Sequence, residues 1–189
     1  MIFSFRTRAA IRAPKVAAVL AFAWIAGGAL AGAQEPILNI GTSTAKPGDP
    51  VDIPVTLSGT EQPQLGAITL ELTFPKDALH FVRGSAGLSG EMAEASVEGA
   101  AQDAAESGMS SLKVSINAKK PIKPGILAYV HFRVATEAQK GKIELKAQSV
   151  QAKTLEGGSQ DLSKGRDGQI EVFGRDETIP LIGCFFFTH

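Results

Sequence analysis

Hydrophobic and polar residues alternate with a period of two between Val51 and Phe74. Val51, Ile53, Val55 and Leu57 share one face of a first run, and Ile68, Leu70, Leu72 and Phe74 share one face of the next. Successive side chains point to opposite sides in an extended strand, so both runs read as half-buried β-strands. Leu38 and Ile40 predict an earlier strand. Lys46-Pro47-Gly48-Asp49 supplies the turn between them, with Pro fixing φ and Gly available for a positive φ. Pro54 removes one ladder donor from the 51–57 run, which implies an edge position or a bulge.

The same alternation continues along the chain. A short strand is predicted near Leu79–Val82. Residues 84–110 are rich in Gly, Ala, Ser and Glu, with weak periodicity. Within them, Ala100–Ala105 suits a turn of helix and a mobile loop equally. Strand character returns at Leu112, Val114 and Ile116. After a turn at Pro121–Gly125, Ile126, Ala128, Val130, Phe132 and Val134 alternate with Leu127, Tyr129, His131 and Arg133. Ile143, Leu145 and Ala147 predict a further strand, and Ile170 and Val172 close the series. Turns spaced by roughly 8–20 residues predict an all-β protein, an antiparallel β-sandwich forming one domain over residues 34–174.

The two ends differ from this body. Arg6, Arg8, Arg12 and Lys15 precede the apolar Val16–Ile25, and Ala31-Gly32-Ala33 offers small residues for cleavage. Residues 1–33 therefore read as a signal peptide, with no integral membrane segment in the mature chain. The predicted location is outside the cytoplasm: periplasm, cell surface or medium. Residues 175–189 form a short apolar tail, too short to span a bilayer as a helix. Packing on the sandwich, association and a remnant of a sorting signal all fit it. Cys184 is the one cysteine, so no intrachain disulfide forms.

Charge narrows the partners. The chain carries 19 basic and 19 acidic residues, and loss of the leader leaves 15 against 19, a net of −4. Such a balance argues against nucleic acid. Catalysis finds no support in motifs: there is no HExxH, paired-Cys, G-x-S-x-G or phosphate-loop pattern. His80, His131 and His189 are far apart in sequence, and His131 falls on the strand face opposite Val130 and Phe132, an exposed position more than a catalytic one. Carboxylate pairs of the glycosidase kind depend on closeness in space, which sequence does not give. No EF-hand loop repeats here, and neither a cofactor nor a metal is expected.

Four patches in order resemble the bacterial cohesin domain. They are Lys46-Pro47-Gly48-Asp49 with Val51-x-Ile53-Pro54-Val55, then Gly66-Ala67-Ile68 through Leu72 and Phe74 to Asp77-x-Leu79. Gly125-Ile126-Leu127-Ala128-x-Val130-x-Phe132-x-Val134 and Asp167-Gly168-x-Ile170-x-Val172 complete the set. Pro75-Lys76 departs from the family, where an aromatic commonly precedes the Asp. The resemblance covers about Leu38 to Phe173. It implies a nine-stranded jelly-roll-like sandwich that docks a dockerin-bearing or other modular extracellular protein, as dockerins on polysaccharide-degrading enzymes are docked in cellulosomes. It also implies a docking surface that includes Thr69 and Glu71, with Thr73 beside them, and Ser115 and Asn117 on a later strand. Lys119 lies near a position that is acidic in some relatives, so partner specificity does not carry over.

Alternation alone places the same residues outward. With Ile68, Leu70 and Leu72 inside, Thr69, Glu71 and Thr73 face out, and the same logic exposes Lys113, Ser115 and Asn117. Such a surface suits a hydrogen-bonded protein interface and an ordinary solvated sheet face alike. Carbohydrate binding is the chief alternative, followed by a purely structural surface role. Sugar platforms use exposed rings, and few remain: Trp24 lies in the leader, Tyr129 is the one tyrosine, and Phe74 and Phe132 are assigned to the core.

Overall fold

The computed structural model describes residues 35–59, 64–104 and 108–179. The predicted leader, Ala105, and the tail from position 180 with Cys184 and His189 lie outside the described residues. In chain order the elements are β1 (Ile37–Ile40), β2 (Thr42–Ala45), β3 (Pro50–Ser58), β4 (Leu65–Pro75), β5 (Leu79–Ala86), α1 (Leu88–Met92) and β6 (Ser96–Asp103). β7 (Met109–Asn117), β8 (Gly125–Val134), β9 (Gly141–Thr154), β10 (Ser159–Gln160), β11 (Ser163–Lys164) and β12 (Gly168–Val172) follow.

Two sheets stack face to face. One runs β11-β1-β3-β8-β5, the other β2-β12-β9-β4-β7-β6, with β10 paired to β9. β1 and β2 are one strand broken at Gly41, so the chain crosses from one sheet to the other there. Taking them together, and setting aside the two-residue β10 and β11, leaves the nine strands of a jelly-roll-like sandwich. Most pairs are antiparallel, but β1 with β11 and β2 with β12 run parallel. No helix among the described residues is long and apolar enough to cross a membrane.

The alternating apolar positions fill the space between the sheets. Ile53, Val55, Leu70, Leu72, Leu112, Ile116, Val130, Phe132, Leu145 and Ile170 are each fully buried. Phe132 sits edge-on to Phe74 at 5.2 Å between ring centres and to Phe81 at 6.1 Å. Phe81 reaches the sandwich edge over Gly99 of β6. A Cβ there would stand 2.3 Å from the Phe81 ring, so only glycine leaves that ring its place.

Three local features differ from a simple reading of the pattern. First, of the edge position and the bulge that Pro54 implies, the bulge is found, beside it between Val55 and Thr56, while β3 itself is an interior strand. The Pro54 carbonyl accepts from Gly41 N at 2.8 Å. A residue's N and O point to the same side of a strand, so the missing donor faces Gly41, where β1 has ended, and β8 loses nothing. Second, a register shift beside it leaves Leu127 as an extra residue on β8, and Leu127 and Ala128 are both buried. Third, residues 96–103 form strand β6, neither helix nor loop, and the helix lies earlier, at Leu88–Met92. β6 is an edge strand of small and polar residues, paired on one side to β7, so tertiary pairing builds it without an apolar stripe of its own.

Helix α1 covers the start of β8. Gly87 N donates to Leu127 O at 2.9 Å, and a Cβ on Gly90 would stand 2.2 Å from the same oxygen. Gly90→Ala is therefore expected to lift α1 and to destabilise the domain by about 1–3 kcal/mol, read as a lower urea midpoint.

Candidate protein-docking face

The outer surface of β6-β7-β4-β9 gathers the residues singled out above. On β4, Thr69 pairs with Ser115 of β7 and Gln151 of β9, Glu71 with Lys113 and Ser149, and Thr73 with Ser111 and Lys146. Asn117 lies one step along, opposite Ala67 and Ser96. Thr69, Glu71, Thr73 and Ser115 are half-buried by their neighbours, and Asn117 is exposed. All five thus share one sheet surface.

Glu71 sits near the centre of this surface and is held from two sides. Ser111 Oγ donates to Glu71 Oε1 at 3.0 Å, and Ser149 Oγ donates to Oε2 at 3.3 Å. A carboxylate offers about four acceptor sites, so this clamp leaves capacity for an incoming donor. Gln148 Nε2 donates to Thr73 Oγ1 at 2.8 Å and fixes that hydroxyl as well. Two shallow depressions break the face. One is lined by Glu71, Thr73, Gln102 and Ser111, the other by Glu98, Lys113 and Ser115. Lys113 has no ion-pair partner among the described residues, whereas Lys120, beyond the Asn117 end, pairs with Glu94 at 2.6 Å. The Lys120 hydrogen bond, then its charge, holds the Glu94 carboxyl below its ordinary value.

A family model, that of the cohesin domain, matches residues 37–172. The chain belongs to the cohesin family. Cohesins are non-catalytic protein-binding modules, which agrees with the lack of catalytic motifs in the sequence. Among solved structures, it is similar to the cohesin of a type I cohesin–dockerin complex from Clostridium thermocellum, with a TM-score of 0.60 and 14% identity over 74% of this chain and 99% of that one. A type I cohesin of Pseudobacteroides cellulosolvens gives 0.56 and 18% identity, over 80% and 99% of the two chains. A non-cellulosomal cohesin of the archaeon Archaeoglobus fulgidus gives 0.55 and 21%, over 75% and 94%. No curated protein matches.

Sequence reasoning missed the residues of β9 that complete this cohesin's outer face. The strand was legible as Ile143, Leu145 and Ala147, but it runs on to Thr154. A register shift leaves Gln148 as an extra residue, after which Val150 and Ala152 point inward. The apolar phase thus moves from odd to even positions, and that resumption was the available signal. The face carries no aromatic ring among the described residues. Tyr129 belongs to the other sheet, and Phe81 is spent against Phe132.

Proposed function

We propose that this cohesin is an exported receptor module that docks a calcium-loaded dockerin through Thr69, Glu71, Thr73, Ser115 and Asn117, on a partner concerned with polysaccharide breakdown. The observation that carries the reading is the clamped Glu71 at the centre of an open, polar sheet face. Fixed side chains lose little freedom on binding, so contacts they make are not offset by ordering. Polar groups with partly used hydrogen-bonding capacity suit a protein interface of this kind. The basic leader supports export. The absence of rings from the face leaves carbohydrate binding without a stacking platform.

Calorimetric titration with purified dockerins tests this, with and without calcium, beside a glycan array. Saturable binding to a calcium-loaded dockerin, lost on chelation, is the expected result. A glycan hit with no dockerin binding overturns the assignment.

A further inference from the structure

Away from that face, on the outer surface of the five-stranded sheet, three adjacent strands bring Asp52, His131 and Ser85 together. Asp52 of β3 stands directly opposite His131 of β8, and Ser85 of β5 reaches the same ring from the other side. His131 Nδ1 lies 2.5 Å from Asp52 Oδ1, and His131 Nε2 lies 2.7 Å from Ser85 Oγ. The sequence pattern places His131 outward, and it is outward, but its side chain is only 16% exposed and both ring nitrogens are engaged.

The chemistry of the three groups sets the direction of the hydrogen bonds. An ionised carboxylate only accepts, so the ring proton sits on Nδ1 and is donated to Asp52. When the ring is neutral, its lone pair then lies on Nε2, 2.7 Å from Ser85 Oγ, where it accepts the hydroxyl hydrogen. A hydroxyl, a base within hydrogen-bond reach and a third group orienting that base form the arrangement that activates a nucleophile. Asp52 is exposed, with 59% of its side chain open, so it acts as a positioning residue. Other ionisable groups on this surface are Arg83, opposite His131, with Tyr129 and Arg133 two residues to either side and His80 opposite Arg133.

We propose that Ser85 is an acylation site, a hydroxyl activated by His131 that accepts the acyl group of a small activated carboxylic ester. Ser85 Oγ bonds to the ester carbonyl carbon as its proton moves to His131 Nε2. Collapse of the adduct breaks the bond to the leaving alkoxide, which takes the proton from His131 and departs as the alcohol. The acyl group stays on Ser85 Oγ as the ester, so the step is a single modification and not a turnover. No carrier of redox equivalents is needed. This site is separate from the docking face and does not depend on it.

The test uses p-nitrophenyl acetate and the purified protein, with peptide mass mapping to locate the acetyl group and absorbance to follow p-nitrophenolate. Exposed Ser96 and Ser159 serve as internal references. Ser85 is expected to acetylate faster than either by about 100-fold or more, the usual scale of general-base assistance. His131→Gln removes that advantage, and Asp52→Asn changes the pH profile of Ser85 acetylation, which a purely structural role would leave alone. Ser85→Ala, a small change at a half-buried position, abolishes the fast phase in a folded protein and serves if His131→Gln does not fold. Acetylation of Ser85 no faster than Ser96, or equally fast in folded His131→Gln, overturns the proposal.

Discussion

Glu71→Arg is expected to weaken dockerin binding by about 2–5 kcal/mol, at least ~30-fold in Kd. The substitution removes a carboxylate that Ser111 and Ser149 hold in place, and it sets a second cation opposite Lys113. Titration calorimetry reads the loss directly. Ser111, a residue only 6% exposed, loses the acceptor of its hydroxyl, at a cost to folding of about 1–3 kcal/mol. Glu71→Gln keeps an acceptor oxygen, so it separates loss of charge from loss of fold. Arg83→Glu, on the other sheet, is expected to leave affinity unchanged. Unaltered binding by folded Glu71→Arg removes this face from the docking assignment.

Phe132→Ala is expected to destabilise the domain by about 3–5 kcal/mol, measured by urea unfolding. Phe132 has no exposed surface and touches the rings of both Phe74 and Phe81. Its loss opens a void between the sheets and strips two edge-to-face contacts, each worth about 0.5–1.5 kcal/mol beyond area alone. Domains of this size have about 5–15 kcal/mol to lose, so the variant sits near the threshold of folding. Phe81→Leu, at the sandwich edge, is expected to cost less. A Phe132→Ala midpoint close to the unsubstituted protein's would show that the interior re-closes around the gap.

Strands that bury one face and show the other to water were legible because burial imposes the alternation itself. Val51–Leu57 and Ile68–Phe74 sit where the pattern puts them, and Thr69, Glu71 and Ser115 follow on the outer side. What was not legible depends on neighbours distant in sequence. β6 exists because β7 pairs with it, and its own residues lack an apolar stripe. The extra residues Leu127 and Gln148 shift the phase of β8 and β9 midway, which a fixed period cannot follow. Pro54 implies an edge or a bulge, and only the contact with Gly41 shows how an interior strand holds it. The hydroxyls on Glu71 come from Ser111 and Ser149, 40 and 78 residues away along the chain. Likewise, nothing local joins Asp52, Ser85 and His131, which meet because their strands are neighbours.

The parallel pairing of β2 with β12 bears on how the domain meets mechanical load. Thr42–Ala45 and Gln169–Val172 lie side by side in the same direction, one near the beginning of the sandwich and one near its close. Tension applied across the domain drags these two segments along their lengths in opposite senses. The bonds between them are then stressed together in shear, not peeled apart one after another, so the module resists a pull by parting all at once.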